Sequence, residues 1–398
     1  MAIDIKFPMI IGGSSGSSFT FGKLSSNISS TTTPAPAMGG QLWAWGNNAY
    51  GALGNSDTPN PQSSPVQTIA GGSDWQTSSA RGLYGSAIKT DGTLWTWGRN
   101  SYGQLGDNTT VNKDSPIQTV TFSTDWVSVN CGSNSMTAIK KDGTLWTWGF
   151  NYRGQLGDGT TIHRSSPVQT AAFGNNWQQV SGGYAHKAAI KTDGTLWTWG
   201  YNYEGQLGYG TNSSANNISP LQTVSYGTDW SSVACGNSFT VAIKKDGTLW
   251  AWGKNSYGQL GINTTTNRNS PVQEITGGTN WSTVACGYAM TVATKTDGTL
   301  WTWGSNLGGE LGDNTISLPK SSPVQTVAGG TNWASAHAGA LVAGGIKKDG
   351  SLWMWGNNPV GQLGDNTSDN KSSPVQTIMG GAGWSSLSIG DAVNAIKA

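Results

Sequence analysis

A short tryptophan motif recurs seven times along this chain of 398 residues and constrains its fold more than any other feature. The motif reads LWxWG, and successive copies begin 51 to 53 residues apart. They start at Leu42, Leu94, Leu145, Leu196, Leu249, Leu300 and Leu352. A Ser-Pro pair and a lone tryptophan recur in the same frame. A regular repeat of about 50 residues is typical of propellers and solenoids, in which each unit packs against its neighbours.

Each repeat carries two β-rich runs, and in six of the seven repeats an Asp-Gly dipeptide separates them. One copy is AIKTDGTLWTWG, residues 189–200. Asp-Gly between such runs is a strong hairpin signal, and it predicts a two-residue turn of the primed type. Because no run keeps a helical period over three turns, we expect an all-β fold.

The two ends of the chain match the two halves of one such hairpin. Ala395-Ile396-Lys397 corresponds to the strand before the Asp-Gly turn, and Gly40-Gln41-Leu42-Trp43 corresponds to the strand after it. A closed ring explains this match, whereas an open solenoid needs polar capping repeats. We therefore predict a seven-bladed β-propeller over residues 39–398, closed by N- and C-terminal strands that share one blade. Residues 1–38 form an extended N-terminal arm.

Tryptophan and cysteine both follow the repeat. Each repeat holds three of the 21 tryptophans, and none is left over for a special site. We expect them to form the core rather than an aromatic ligand cage. Cys131, Cys235 and Cys286 occupy one repeat column that elsewhere holds Ala, Gly or Ile. We expect free, buried thiols in a tight interior slot, not disulfides or metal ligands.

Charge and hydropathy argue against two classes of partner. Charged residues make up 11% of the chain and the net charge is +1, which argues against an electrostatic nucleic-acid footprint. No run is long enough to span a membrane. The apolar run of the arm, residues 7–11, is too short for the core of a signal peptide. We expect no nucleic-acid partner, no membrane insertion and no signal peptide.

The arm opens with MAIDIKFPMII and then becomes rich in Ser, Thr and Gly. We predict that its apolar start tethers the propeller to another subunit of a larger assembly. The residues assigned to this contact are Ile3, Ile5, Phe7, Ile10 and Ile11.

The pattern WGxNxxGQLGDxT, followed by SSPVQT and AIKxDG, resembles the repeat of the regulator of chromosome condensation family. The resemblance covers residues 40–398 and implies a seven-bladed propeller. Its full copies include Asn100, Gly103, Gln104, Leu105 and Gly106, and Asn255, Gly258, Gln259, Leu260 and Gly261.

What the resemblance implies about function is broad. The family includes an exchange factor for a small GTPase that also binds chromatin, a bacterial inhibitor of β-lactamases, and extracellular or phage-borne proteins. This chain keeps the family's Gly-x-x-His column once, from Gly183 to His186, and lacks the basic tail expected of a chromatin binder. Its DGTLWTWG segment is nearly constant between repeats, and in this respect the chain resembles the bacterial and phage members of the family more closely.

The sequence offers no catalytic constellation. His163, His186 and His337 share no spacing, and no carboxylate recurs beside them. We find no nucleophile with a base and no phosphate-binding loop. We therefore predict a non-enzymatic protein with no catalytic residue, no metal site and no cofactor.

Function in a repeat scaffold is expected where the repeat varies, in the loops that follow each LWxWG motif. The loops of the third and fourth copies are the richest in aromatic and charged residues. They predict one binding patch on adjacent blades, made of Phe150, Tyr152, Arg153, Tyr201, Tyr203 and Glu204. Aromatic residues and Arg are frequent anchors of binding surfaces. The alternative is that the tyrosines only cover the glycine-rich turn beneath them.

Three functions remain open at this point. The first is a structural or adhesive propeller of a virion or its appendage, tethered by the arm and binding a host glycan, a host protein or a neighbouring subunit. This function implies a virion or extracellular location and an oligomeric assembly. The second is an inhibitor or regulator that binds a protein through one rim, and the third is an exchange-factor-like protein.

Overall fold

The computed structural model describes residues 39–224 and 227–398. These residues contain 28 strands and a short 3-10 turn over Ala49–Gly51. The strands are β1 (Gln41–Gly46), β2 (Gln62–Gln67), β3 (Trp75–Arg81), β4 (Tyr84–Lys89), β5 (Leu94–Gly98), β6 (Lys113–Gln118), β7 (Trp126–Cys131), β8 (Ser135–Lys140), β9 (Leu145–Gly149), β10 (Arg164–Gln169), β11 (Trp177–Gly182), β12 (His186–Lys191), β13 (Leu196–Asn202), β14 (Ser213–Gln222), β15 (Trp230–Cys235), β16 (Phe239–Lys244), β17 (Leu249–Gly253), β18 (Arg268–Gln273), β19 (Trp281–Cys286), β20 (Met290–Lys295), β21 (Leu300–Gly304), β22 (Lys320–Gln325), β23 (Trp333–Ala338), β24 (Val342–Lys347), β25 (Leu352–Gly356), β26 (Lys371–Gln376), β27 (Trp384–Ile389) and β28 (Ala392–Lys397).

Within the described residues, the strands form seven antiparallel sheets of four, which are the blades of a propeller. Blades 1 to 6 each take four consecutive strands, from β3–β6 in blade 1 to β23–β26 in blade 6. The first strand of each blade begins with the lone tryptophan and lies innermost, next to the first strands of both neighbouring blades. The predicted seven-bladed propeller is confirmed.

The seventh blade closes the ring with strands from both ends of the propeller. Its order is β2-β1-β28-β27, so β27 is innermost and β2 is outermost. Strand β1 pairs with β28 from Gln41 opposite Lys397 to Gly46 opposite Ala392. The predicted closure by a divided hairpin is therefore confirmed.

The predicted arm lies outside the described residues, as do its five assigned contact residues. Its docking on another subunit stays a prediction. Across the part of the chain that is described, no helix is long and apolar enough to cross a membrane.

The Asp-Gly hairpin is present, but its predicted turn type is wrong. In blade 1 the loop has three residues, because the Lys89 amide donates to the Thr93 carbonyl and the Gly92 amide donates to the Lys89 carbonyl. Gly92 has a φ of +79°, whereas Asp91 is not among the positive-φ residues. A two-residue turn of type I′ needs a positive φ at both loop residues. A three-residue loop needs a positive φ only at its last residue, which here is the glycine.

The aspartate of this turn orders the first tryptophan of LWxWG. The Asp91 carboxylate accepts hydrogen bonds from the Thr93 hydroxyl at 2.7 Å and the Thr93 amide at 2.9 Å. These bonds lower the pKa of Asp91. The Thr93 hydroxyl in turn accepts from the Trp95 indole at 2.9 Å. The same relay occurs in blades 1 to 6. In blade 7 the hairpin is divided, and the Trp43 indole nitrogen has no partner in the described part of the chain.

A lysine lies between two tryptophans in each of blades 1 to 6. In blade 1 the Lys89 ammonium is 4.8 Å from the ring centroid of Trp75 and 5.2 Å from that of Trp95. It also forms an ion pair with Asp74 at 3.2 Å. The equivalent lysines are Lys140, Lys191, Lys244, Lys295 and Lys347, with Lys397 over Trp384 in blade 7. Cation–π contacts of this kind stabilise the packing of the first strand on the third.

The second tryptophan of LWxWG joins neighbouring blades. The Trp148 indole of blade 2 donates to the carbonyl of Gln104 in blade 1 at 2.9 Å. A Cβ atom on Gly106, the last glycine of GQLG, would lie 2.8 Å from this indole nitrogen. The ring therefore fills a space that only glycine leaves open. The same hydrogen bond, 2.8–3.0 Å long, occurs at all seven junctions, from Trp45, Trp97, Trp148, Trp199, Trp252, Trp303 and Trp355.

These seven tryptophans are fully buried, which confirms their expected place in the core. Burial of one indole contributes roughly 4–6 kcal/mol before the entropy of folding is counted.

The undivided and divided hairpins provide a matched test of the aspartate relay. Trp95→Phe removes an indole N–H that donates to Thr93, whereas Trp43→Phe removes an N–H without a partner. Both changes remove the same ring atoms from the same repeat column. We expect Trp95→Phe to lower the free energy of unfolding by about 1 kcal/mol more than Trp43→Phe, since this is the typical net contribution of a hydrogen bond. Equilibrium urea denaturation measures the difference, and equal losses would contradict the relay.

Candidate functional site

Two sets of loops leave the blades at the same end of the ring. In blade 1, Arg81 pairs with Tyr84, and Tyr84 pairs with Gly98. The loop after the first strand and the loop after the third strand therefore start side by side. We call this end of the propeller the loop face. The Asp-Gly turns and the connections between blades lie at the other end, which we call the turn face.

A buried asparagine holds each loop that follows the third strand. In blade 1, the side-chain oxygen of Asn100 accepts from the Leu105 amide at 2.9 Å, and its side-chain nitrogen donates to Asp107 at 2.9 Å and to the Val111 carbonyl at 3.1 Å. Equivalent buried residues are Asn48, Asn151, Asn202, Asn255, Asn306 and Asn358. This bonding explains the WGxN motif. The variable residues beside the asparagine are thereby held on a fixed backbone.

The six predicted patch residues lie together on blades 2 and 3. The Arg153 guanidinium is 5.2 Å from the ring centroid of Tyr152 and 4.6 Å from that of Tyr201. Tyr201 and Tyr203 stack with centroids 6.1 Å apart, and Phe150 lies 6.5 Å from Tyr152.

Glu204, the sixth member of the patch, accepts a hydrogen bond of 2.7 Å from the side chain of Asn267 in blade 4. Arg153 thus connects the aromatic groups of two blades, and Glu204 extends the patch toward a third. The structure brings the whole predicted set together, and its binding role stays a prediction.

The same arrangement continues across blades 1 and 7, which the sequence analysis did not assign to the site. The Arg99 guanidinium is 5.6 Å from the ring centroid of Tyr50 and 5.9 Å from that of Tyr102. Tyr102 lies 4.7 Å from Phe150, and His163 lies 4.8 Å from the same ring. The missed signal is that Arg99 and Tyr102 follow their LWxWG motif just as the patch residues follow theirs.

We call the combined surface the aromatic–arginine belt. It consists of Tyr50, Arg99, Tyr102, Phe150, Tyr152, Arg153, His163, Tyr201, Tyr203 and Glu204.

The belt presents cationic groups that lack ion-pair partners. Neither Arg99 nor Arg153 has an acidic side chain within ion-pair distance in the described ranges. Partial burial lowers the pKa of His163, so this ring is neutral near pH 7. Tyr152 and Tyr203 are 62% and 56% exposed, so much of each ring is accessible to a partner.

The innermost strands enclose a cavity of about 500 Å³ where they end at the loop face. The cysteine column forms part of its wall, and Cys131, Cys235 and Cys286 are buried and free, as expected. Burial raises the pKa of all three thiols. Residues 39–224 and 227–398 contain no group of three or more His, Cys, Asp or Glu side chains suited to a metal ion.

Two histidines near this cavity are uncharged. Burial lowers the pKa of His186 to about 3 and that of His337 to about 4. His186 bonds to the Thr240 hydroxyl at 3.1 Å, and His337 bonds to the Ser335 hydroxyl at 2.9 Å. The first bond joins blade 3 to blade 4, and the second lies within blade 6.

A buried lysine also lies beside the cavity. Lys187 in β12 has no exposed surface. The equivalent residue of the repeat is Met136 in blade 2 and Thr240 in blade 4. Its ammonium donates to the Ser135 carbonyl at 3.3 Å. Burial, and to a smaller extent the charge of Arg81, lower the pKa of Lys187 to about 7.

Comparison with known protein families gives matches along the described chain. A model of the RCC1-like domain matches residues 163–396, which is more than half of the chain. Models of the regulator of chromosome condensation (RCC1) repeat match residues 39–78, 91–139 and 126–155.

Two curated relatives illustrate how widely this repeat is used. The chain is 32% identical to the ultraviolet-B receptor UVR8 of Arabidopsis thaliana over 312 residues, which are 75% of this chain and 68% of the receptor. It is 30% identical to the E3 ubiquitin-protein ligase HERC2 of Homo sapiens over 353 residues, which are 83% of this chain. The match spans 7% of that ligase.

Solved structures show the same fold. Human WBSCR16 superposes with a TM-score of 0.79 at 20% identity, covering 90% of this chain and 100% of that one. Yeast RCC1 (Prp20), in a complex with Kap60, gives a TM-score of 0.79 at 16% identity and covers 91% of this chain and 90% of that one.

The buried lysine predicts a specific pH dependence of stability. Its folded-state pKa of about 7 lies below the value of 10.5 for a free lysine, so between these limits the unfolded chain binds more protons and stability rises with pH. We expect Lys187→Met, which copies Met136, to remove this rise and to stabilise the protein at pH 6.5 by roughly 1–3 kcal/mol. The measurement is the free energy of unfolding of both proteins from pH 6.5 to 9.5. Parallel pH profiles would contradict the assignment.

Proposed function

Because the chain belongs to the regulator of chromosome condensation (RCC1) repeat family, we propose that it is a non-catalytic, protein-binding propeller whose partner docks on the loop face. The aromatic–arginine belt is the contact surface. The propeller supplies a rigid support, and the belt supplies the side chains that recognise the partner.

The observation that carries this proposal is the position of Arg153 between Tyr152 and Tyr201. The two rings flank the guanidinium at 5.2 and 4.6 Å, so the side chain is ordered before a partner arrives. Its N–H groups have no acceptor among the described residues, and they remain available for a carboxylate or a carbonyl of the partner. Arg and Tyr held in this way lose little conformational entropy on binding, which favours affinity.

The belt is also asymmetric, as expected of a surface with one partner. The buried asparagine recurs in every blade, whereas the exposed side chains beside it change from blade to blade. Blades 5 and 6 carry Leu307 and Pro359 in place of the tyrosines, and neither places an arginine there. This variation matches a surface that recognises a partner, whereas the buried asparagine beneath it serves the fold.

Structural relatives support protein binding as a general use of this fold. One structure is of yeast RCC1 with Kap60, and another concerns the binding of Prp20p to Gsp1p and histones. Their identities to this chain are 16%, so their particular partners are not part of the proposal. The ligase activity named for HERC2 is also not part of it, because the match spans 7% of that protein.

A virion or host-adhesion role remains a second proposal. The observation that favours it is the stacked pair Tyr201 and Tyr203, since exposed aromatic rings also pack against sugars. The relatives described above do not bear on a virion or extracellular location. Binding to a host glycan through this pair would favour the adhesive role over a protein partner.

A belt variant and a matched turn-face variant test the proposal. The belt variant combines Tyr152→Ala, Arg153→Ala and Tyr203→Ala. The control combines Phe122→Ala, Lys141→Ala and Phe173→Ala, which removes two exposed aromatic rings and one cation from the turn face. We expect the belt variant to bind its partner at least about 30-fold more weakly, since anchor residues typically contribute 2 kcal/mol or more.

The measurement has two steps. Proteins captured from the source organism by the wild type are compared by mass spectrometry with those captured by both variants, and the affinity of a belt-dependent protein is then measured. A glycan array is probed with the same three proteins. Equal capture by all three proteins would overturn the proposed protein-binding belt, and glycan binding lost only in the belt variant would favour adhesion.

A further inference from the structure

The cavity enclosed by the innermost strands is called here the mouth of the central channel. One position in its wall departs from the repeat. The first strand of blade 1 ends in Arg81, whereas the equivalent position of the other six blades is glycine. These glycines are Gly132, Gly183, Gly236, Gly287, Gly339 and Gly390. A single long cationic side chain therefore enters a ring of residues that otherwise have no side chain.

Arg81 reaches across the mouth of the channel. Its Nη1 atom donates to the Gly182 carbonyl of blade 3 at 2.8 Å and to the Cys235 carbonyl of blade 4 at 3.2 Å. Gly182, Cys235 and Arg81 itself all line the cavity. The other guanidinium N–H groups have no acceptor in the described ranges.

A second cation lies on the other side of Gly182. A Cβ atom on that glycine would be 2.5 Å from the Lys187 ammonium, and one on Gly132 would also collide with it. Arg81 and Lys187 thus both contact Gly182, which lies in the cavity wall. Their mutual repulsion contributes to the lowered pKa of Lys187.

No ion pair in the described chain neutralises these two cations, although Asp391 lines the same cavity, where burial raises the pKa of its carboxyl and the charge of Arg81 acts to lower it. Neither Arg81 nor Lys187 has an acidic side chain within ion-pair distance. Burial keeps the Cys131 and Cys235 thiols protonated at neutral pH by raising their pKa values. A buried lysine beside a half-buried arginine is costly unless an anion accompanies them, and such an anion gains both charges and free N–H donors.

We propose that the mouth of the central channel binds a carboxylate, held by the free guanidinium edge of Arg81 and by the charge of Lys187. The planar guanidinium matches a carboxylate in shape and can donate two parallel hydrogen bonds. The carboxylate comes from a small acid or from an acidic side chain of the partner on the loop face. The belt is not required for this site, so the two proposals can fail separately.

Isothermal titration calorimetry at pH 7.5 and constant ionic strength tests the site. The probes are succinate, for a small acid, and an end-blocked peptide with one glutamate between glycines, for a side chain. The variants are Arg81→Gly and Lys187→Met, which install residues already present at equivalent positions of other blades. Lys141→Ala, which removes an exposed cation from the turn face, is the control.

We expect the wild type and Lys141→Ala to bind one of the probes equally well, and Arg81→Gly to bind it at least about tenfold more weakly. Preference for succinate indicates a small acid, and preference for the peptide indicates a partner side chain. The proposal is overturned if the wild type binds neither probe, or if Arg81→Gly binds as the wild type does.

A second readout reports on Lys187 alone. A bound carboxylate favours the charged amine, so binding near pH 7.5 should take up a proton, measured by titration in buffers of different ionisation enthalpy. The charged and titratable groups around this amine are Arg81, Tyr84, Cys131, His186 and Cys235. Lys187→Met should abolish the uptake and weaken binding. Unchanged uptake in this variant would remove Lys187 from the site.

Discussion

The contact on which the rest of this molecule depends is the insertion of one tryptophan from each blade into a turn of the blade before it, which reads GQLG in five blades, GELG in blade 5 and GALG in blade 7. The indole donates to a backbone carbonyl of that turn at 2.8–3.0 Å at all seven junctions. Each four-stranded sheet is too small to bury its own faces, so cohesion must come from its neighbours. The junction between Trp45 and Gln362 joins blade 7 to blade 6, so the same contact continues around the closed ring.

This contact also determines where the functional loops lie. The GQLG turn that receives the indole belongs to the loop whose backbone is held by the buried asparagine, as shown by the bond from the Leu105 amide to Asn100. The core and the loop face are therefore parts of one rigid arrangement. Side chains such as Arg153 and Tyr203 can vary without disturbing it, because they project from a backbone that is already held. Variation is concentrated on the loop face, where the belt and the mouth of the channel both lie.

Much of the fold could be predicted from the sequence, because repeated markers report directly on blade number and closure. The turn after Lys89 could not, since Asp-Gly fits both a two-residue and a three-residue loop. The six patch residues could be found because they are aromatic or charged at adjacent repeats. Arg99 belonged to the same column and was overlooked because its own repeat is less aromatic.

The proximity of the two cations Arg81 and Lys187 could not be predicted. It depends on the contact between Arg81 of blade 1 and Gly182 of blade 3, and an alignment of the repeats does not show contacts between blades. The alignment does show that Arg81 and Lys187 each differ from the residues at the equivalent positions of other blades. The apolar arm residues from Ile3 to Ile11 lie outside the described chain, and their role stays a prediction.

The central claim is that the loop face, and the belt in particular, receives the partner. Hydrogen–deuterium exchange of the propeller with and without its captured partner tests this most directly. The account predicts slower exchange at the belt loops of blades 1 to 3, around residues 99–104, 150–155 and 201–206, with no change at the Asp-Gly turns. Protection confined to the turn face would contradict it.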